Sequence, residues 1–203
     1  DPPRSKGEGL SAIFAATVID LFLGFAARDL YPDPQDSPRM AMINHPLVKL
    51  LNASGPGESA YFFNSSIASS ARAGVYADTA WAGHMISMYF IPIIADYAQN
   101  PHWYPSADGA RLAEIEHYSR QRILDDMRRR QPAIVLFDNT AHKWYFKSPR
   151  FDYLSFLQQD PAFSELWEKA GYRKDGIVPG LGDEAFQVYR RNPVDRRPER
   201  PSG

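Results

Sequence analysis

Serine, aspartate and histidine side chains that could form a catalytic triad follow two apolar segments of the chain. Ser65 and Ser66 come directly after one such segment, and Asp138 and His142 come after a later one. A serine hydrolase uses such a set as nucleophile, orienting acid and base. However, the Gly-x-Ser-x-Gly elbow is absent, and Asp138 and His142 are one residue further apart than in the lipase-like Asp-x-x-His pattern. Loop residues that cap strand and helix ends are the alternative explanation.

Metal, cofactor and thiol chemistry have no motif in the sequence. The 5 histidines are scattered without a His-x-x-x-His pair, and there is no cysteine. The turn at residues 55–57 lacks the Gly and Lys of a phosphate loop and precedes an apolar segment instead of following one. We therefore expect no metal and no cofactor.

The two apolar segments at residues 60–63 and 133–137 are predicted to be neighbouring strands of one sheet. Between them, residues 108–130 place apolar side chains on one side and charged ones on the rest, which predicts a long amphipathic helix. Strand, helix and strand in this order are typical of a parallel sheet, whose ligands bind at the carboxyl ends of the strands. The serines and Asp138 would therefore meet at one edge.

The rest of the chain supplies further elements. Residues 172–178 and 184–191 predict a closing β-hairpin, since short β-prone runs flank a Pro-Gly-x-Gly turn. Ser148-Pro149 and Asp160-Pro161 each predict a helix start, and Gly171 a helix end. The predicted fold class is α/β, with a mainly parallel, Rossmann-like sheet flanked by helices and a C-terminal hairpin.

Three segments have weaker patterns. Asn44 is expected to cap a short helix that begins at Pro46. Residues 67–81, rich in Ala, Ser and Gly, are expected to be irregular or extended. In residues 85–97, Pro92 is expected to interrupt any helix.

The predicted domain covers residues 10–191, between polar tails at 1–9 and 192–203. Its first part, residues 10–43, is expected to be an apolar helix and a Pro-rich loop, the helix being buried or close to a membrane because Asp20 lies near its middle.

The chain is 44% apolar with a net charge of -1. It can therefore fold around a large core, and it lacks the basic excess of a nucleic-acid-binding protein.

Several motifs together resemble a known family. They are Tyr61-Phe62-Phe63-Asn64-Ser65-Ser66, the segment from Val75 to His84, the run Gln131 to Asn139, Phe151-Asp152-Tyr153-Leu154, Asp160-Pro161-Ala162-Phe163, and Val188-Tyr189-Arg190-Arg191. This order resembles the extracytoplasmic C-terminal domain of bacterial C-type membrane glycosyltransferases, the polyprenyl-phosphate-sugar-dependent group related to protein mannosyltransferases and aminoarabinose transferases. The likeness covers most of residues 44–191. At position 84 this chain has His where the family pattern has Arg.

The resemblance implies a non-catalytic domain on the periplasmic face of the bacterial inner membrane, because the family's catalytic acid lies in a loop between membrane helices that this chain lacks. The expected partners are the membrane-embedded part of the same protein and a lipid-linked sugar or glycan acceptor, and not nucleic acid. Aromatic side chains with polar tips suit stacking on sugar rings. The candidate ligand-binding residues are Asn64, Ser65, Ser66, Tyr76, Trp81, His84, Asp138, Asn139 and His142.

Two alternatives stay open at the level of sequence. One is a free-standing α/β module that binds a carbohydrate or another ligand. The other is the serine hydrolase described above. Membrane-spanning segments encoded before Asp1 would favour the glycosyltransferase domain, whereas turnover of an ester would favour the hydrolase.

Overall fold

The structure, a computed structural model, describes residues 38–55, 57–85, 87–104, 107–141 and 151–192. The chain divides into two units, Asp1–Asn44 and His45–Gly203. In the first unit, helix α1 spans Pro38–Ile43. The predicted apolar helix at residues 10–27 lies outside the described residues, as do all but one residue of the two predicted tails.

The second unit contains one sheet and the helices that cover it. In chain order its elements are α2 (Pro46–Asn52), β1 (Ser59–Phe63), α3 (Ile67–Tyr76), β2 (Ala80–Trp81), α4 (Phe90–Gln99), a 3₁₀ turn (Pro101–Trp103), α5 (Gly109–Arg130), β3 (Ile134–Asp138), α6 (Tyr153–Leu157), α7 (Pro161–Ala170), β4 (Tyr172–Pro179) and β5 (Ala185–Arg191).

The five strands lie in the order β2-β1-β3-β5-β4. β1 is parallel to both β2 and β3, with Ala60 opposite Ile134 and Phe63 opposite Phe137. β5 is antiparallel to both β3 and β4, as the predicted hairpin requires. The fold is therefore α/β, but the sheet is mixed, and the predicted mainly parallel arrangement is not confirmed. The long helix α5 does connect to β3, although β2 and two further helices also lie between β1 and β3.

Both faces of β1 are buried, which explains why its sequence is an unbroken apolar run. On one face the Phe62 ring stacks on Trp81, with 5.0 Å between centroids, and meets the Phe186 ring edge-on. On the other face Phe63 stacks on Phe137 at 4.6 Å. Aromatic side chains of this size dominate the burial that stabilises the fold, so β1 and β3 form a rigid base for the polar residues at their carboxyl ends.

Several predicted elements are confirmed. Asp108 caps α5 by accepting hydrogen bonds from the backbone N–H groups of Ala110 and Arg111. Asp160 caps α7, which Gly171 ends in the left-handed conformation. In each case a short polar residue accepts the N–H groups that the first helical turn cannot pair internally.

The three weak segments differ from expectation. Residues 67–76 form helix α3, and α4 includes Pro92 as its third residue, where a helix needs no N–H donor. The cap of α2 is His45 and not Asn44, because the Nδ1 atom of His45 accepts the Leu47 N–H.

Helix α6 begins later than its predicted cap. Asp152 caps it by accepting a hydrogen bond from the Ser155 N–H, and the helix starts at Tyr153. The predicted start at Ser148-Pro149 lies outside the described residues.

Candidate functional site

The carboxyl ends of β1 and β3 lie at a point where the chain changes direction across the sheet. From β1 the chain continues towards β2 on one side, and from β3 it continues towards β4 on the other. Such a switch point leaves a crevice at the carboxyl ends of the strands, and open α/β sheets bind ligands there. We call the residues directly after the two strands, together with the last residue of β3, the β1/β3 rim. They are Asn64, Ser65, Ser66, Asp138 and Asn139.

The two halves of the β1/β3 rim are joined by a hydrogen bond. The backbone N–H of Ser65 donates to Oδ2 of Asp138 over 3.4 Å, and the Thr140 N–H donates to Oδ1 of the same carboxylate over 2.9 Å. Asp138 is only 6% exposed. The sequence-based prediction that Ser65 and Asp138 meet at one edge of the sheet is therefore confirmed, and the carboxylate orders the backbone that follows both strands.

Asn64 carries an unusual buried amide. Its Nδ2 atom donates to the hydroxyl of Ser70 over 2.8 Å and to the backbone carbonyl of Ser66. Its Oδ1 atom is buried and has no hydrogen-bond partner among the described residues. A buried acceptor without a partner costs about 1–3 kcal/mol. Asn64 is only 1% exposed, and a donor group that reached its Oδ1 atom would remove this cost.

The hydroxyls of the two serines are both engaged. The Ser65 Oγ and the Tyr153 hydroxyl share a hydrogen bond of 2.5 Å, and the Tyr153 hydroxyl also donates to the Met88 carbonyl over 3.3 Å. The Ser66 Oγ accepts the Ala68 N–H and so caps α3. No described histidine contacts either hydroxyl, and His142 lies outside the described residues. The capping explanation therefore describes Ser66, while Ser65 is buried against Tyr153.

The other candidate residues take different positions. Asn139 is half-buried beside Asp138, and its N–H donates to the Ala185 carbonyl over 2.8 Å. Trp81 lies next to Ala60, at the start of β1 rather than at its end. Tyr76 ends α3, a helix whose first turn is at the rim, so it lies about 15 Å away along the helix. The structure therefore brings Asn139 to the rim but not Tyr76 or Trp81.

His84 belongs to a second polar group, which it forms with Tyr61 of β1 and Asp126 of α5. Its backbone N–H donates to Oδ2 of Asp126 over 2.9 Å, and its ring Nδ1 hydrogen-bonds to Oδ1 of the same carboxylate. The Tyr61 hydroxyl donates to Oδ2 over 3.3 Å. The Asp126 side chain is fully buried, whereas that of His84 is 46% exposed. A buried carboxylate thus holds the ring of a half-exposed histidine in one orientation.

The ring of His84 turns its Nδ1 atom towards the Asp126 carboxylate, and Nε2 is the outer ring atom. Burial raises the pKa of the Tyr61 hydroxyl well above its ordinary value, and the neighbouring Asp126 charge and the hydrogen bond to it raise that pKa further. Tyr61 therefore remains a donor to Asp126 at any physiological pH.

Asp126 is the residue that the sequence analysis missed. It lies on the buried side of α5, three residues after Ile123 and directly before Met127, both of which are buried. A carboxylate on the apolar side of an amphipathic helix requires a partner, because burying an unpaired charge is costly. The position of Asp126 on the apolar side of the helix could therefore have marked it in the sequence. Its partner His84 could not be predicted, because the sequence does not show where the chain runs after β2.

Comparison with known proteins adds no relatives. No protein-family model, no curated protein and no solved structure matches the chain. The site must therefore be interpreted from its own geometry.

Two further findings limit the chemistry of the described ranges. Within them, no three His, Asp or Glu side chains come together in a way that could hold a metal ion. The helices of the same ranges lack the combined length and apolar character that crossing a membrane requires.

Proposed function

We propose that this chain is a non-catalytic domain of a membrane glycosyltransferase that transfers a sugar from a polyprenyl-phosphate donor, and that it binds the sugar acceptor or donor at the β1/β3 rim. In this proposal the domain lies on the periplasmic face of the bacterial inner membrane beside the membrane-embedded part of the same protein. The order of sequence motifs supports the family, and the geometry of the rim supports the binding role.

The observation that carries the binding role is the buried Asn64 amide at a switch point. Sugars present several hydroxyl groups, each of which donates and accepts hydrogen bonds, and amides and carboxylates are their natural partners. At the rim, Asn64 has an acceptor without a described partner, and the half-buried Asn139 lies beside the Asp138 carboxylate. The hydrogen bond between Ser65 and Asp138 holds these groups in place before a ligand arrives.

A binding role fits the geometry better than hydrolysis. The Ser65 hydroxyl is buried and bonded to Tyr153, and the two oxygens of Asp138 accept backbone N–H groups. A triad needs the nucleophile hydroxyl bonded to a base. Among the described residues, the Ser65 hydroxyl bonds to Tyr153 instead. If the chain nevertheless hydrolyses a chromogenic ester, and Ser65→Ala abolishes that turnover while Asn139→Ala does not, the hydrolase function replaces our proposal.

Sugar binding is testable with the chain itself. We expect monosaccharides such as mannose, glucose and arabinose to bind weakly, as measured by calorimetry. Asn139→Ala should weaken binding about fivefold, since a lost hydrogen bond to a ligand is worth about 1 kcal/mol. His102→Ala is the matched control, because His102 is exposed in the 3₁₀ turn. Equal weakening in both variants would argue against the rim.

The glycosyltransferase assignment has a separate test. We expect the reading frame that encodes this chain to specify several apolar membrane spans on the N-terminal side of Asp1. If the frame encodes none while the rim still binds sugars, the free-standing carbohydrate-binding module becomes the better proposal.

A further inference from the structure

A second cleft lies at the opposite end of the sheet from the β1/β3 rim. It is formed by the last turn of α5, by one side of α7 along its length, and by the ends of the hairpin strands, where β4 begins and β5 finishes. Its volume is about 450 Å³, within the usual size of small-molecule sites. Because β3 begins there and the rim lies where β3 ends, the two sites are separated by the length of the sheet.

Three cationic side chains from three different elements line this cleft. They are Arg128 on α5, Lys169 on α7 and Arg191 on β5. None of the three forms an ion pair with a described residue. Arg191 uses its Nη1 to donate to both oxygens of Gln131, over 3.0 Å to the carbonyl and 2.8 Å to the side chain. A guanidinium has five N–H donors, so others remain for a ligand.

The local charge balance favours an anion. Glu165 also lines the cleft, and each of the two helix C-termini contributes about half a negative charge. Three cations against these groups leave an excess of about one positive charge. Favourable interaction with the helix dipoles explains the presence of Arg128 and Lys169, which lie at the ends of helices. It does not explain Arg191, which lies on a strand.

The backbone at Gln131 gives an independent sign of a binding site. Gln131 has φ 42°, and it is the one non-glycine residue with a positive φ among the described residues. Glycine is the usual residue at such a helix end because it has no side chain to strain. Gln131 instead has a side chain in this strained backbone conformation. That side chain lines the cleft and accepts a hydrogen bond from Arg191. Strain of this kind is concentrated at ligand sites.

We infer that this cleft binds a phosphate group, carried either by a free phosphate or by a lipid headgroup. A carboxylate has two oxygens, whereas a phosphate offers at least three acceptors to cations that converge from three elements. Arginine in particular pairs with phosphate through two parallel hydrogen bonds. The apolar part of the wall, formed by Ala162, Leu166 and the ring of Tyr172, suits an attached hydrocarbon group. The site is independent of the proposed function of the rim.

The test is a titration of the ¹⁵N-labelled 203-residue chain followed by NMR. Inorganic phosphate should shift the amide signals of Gln131, Lys169 and Arg191, and sodium chloride at matched ionic strength should not. Dihexanoyl phosphatidate, a soluble phospholipid, should bind more tightly than inorganic phosphate if the natural ligand is a lipid headgroup, and equally if it is a free phosphate. Absence of shifts with both probes would overturn the inference.

Substitutions of the cationic side chains test whether phosphate binds in the cleft. Arg128→Gln combined with Lys169→Gln should weaken phosphate binding about tenfold, since each exposed ion pair contributes about two- to fivefold. Arg129→Gln is the matched control, because Arg129 is an exposed arginine on the same turn that does not line the cleft. If the control weakens binding as much as the double variant does, the basic surface attracts phosphate nonspecifically and the cleft is not a site.

Discussion

At the scale of single residues, Asp126 is the side chain on which the polar group beside β1 depends. It accepts three hydrogen bonds, two from His84 and one from Tyr61, and it is almost fully buried. Because the donors converge on one carboxylate, removing it leaves several polar groups without a partner at once. The group therefore contributes to stability and holds the ring of His84 in place.

We predict that Asp126→Ala lowers the free energy of unfolding by about 2–4 kcal/mol, because buried donors left unpaired cost about 1–3 kcal/mol each. Asp125→Ala is the control, since Asp125 is the adjacent carboxylate on the same helix and is only half-buried. Its effect should stay within about 0.5 kcal/mol. Urea unfolding measures both. Equal losses in the two variants would mean that the hydrogen bonds of Asp126 contribute little.

Alkaline pH should destabilise the chain through its buried tyrosines. Burial raises the pKa of Tyr61, and burial likewise raises the pKa of Tyr172, although the neighbouring Arg191 lowers the latter somewhat. Both hydroxyls are protonated in either state below the ordinary pKa of about 10, so their contribution is complete there. Above it the unfolded chain ionises first, and stability falls by about 1.4 kcal/mol per pH unit for each tyrosine.

The measurement is the free energy of unfolding between about pH 9 and pH 11, across the ordinary pKa of tyrosine. Above pH 10, Tyr61→Phe should make the free energy of unfolding fall less steeply with pH, by about 1.4 kcal/mol per pH unit, because one of the two tyrosines no longer ionises. Tyr118→Phe is the control, because Tyr118 is 62% exposed. A wild-type stability that stays constant over this range would contradict the burial of both hydroxyls.

At the scale of elements, the sequence predicted those whose pattern is strong and local. β1 and β3 are continuous apolar runs, α5 has a clear amphipathic period, and Asp160-Pro161 marks the start of α7. Helix α3 was missed because Ala, Ser and Gly give no apolar stripe. Its helical form depends on packing, with Ser69, Ser70 and Ala73 fully buried and the Ser69 hydroxyl accepting the Leu181 N–H over 2.6 Å. That contact joins residues far apart in sequence.

The end of α5 gives a prediction for one element. Gln131→Gly should raise the free energy of unfolding by about 0.5–1 kcal/mol, because a left-handed conformation strains any residue with a Cβ. In a chain of this size the melting temperature should rise by about 2–4 °C per kcal/mol. A lower melting temperature would mean that the hydrogen bond from Arg191 to the Gln131 side chain outweighs the strain.

At the scale of the whole second unit, the sequence indicated the α/β class and the neighbouring placement of β1 and β3, but not the mixed sheet. A hairpin can join a sheet by either of its strands, and here the last strand, β5, pairs with β3 and leaves β4 at the edge. β4 is exposed along most of its length and carries Arg173, Lys174 and Asp175, as suits an edge strand. No local pattern decides between these two pairings.

The mixed sheet retains the feature on which the proposed function depends. The parallel strands β2, β1 and β3 still place the switch point between β1 and β3, and the antiparallel hairpin begins only beyond it. The same sheet separates the β1/β3 rim from the basic cleft at its other end. The unit therefore carries two polar groups of different chemistry at opposite ends of one sheet.

The most direct test of the central claim is to locate where a sugar binds. Titration of the ¹⁵N-labelled chain with the tightest-binding monosaccharide, followed by NMR, should shift the side-chain amide signal of Asn64 and the backbone signals of Ser65, Thr140 and Asn139. Signals from Lys169 and Gln131 should not move, because they lie at the other end of the sheet. Shifts confined to the basic cleft, or no shifts at the rim at saturating sugar, would contradict the account.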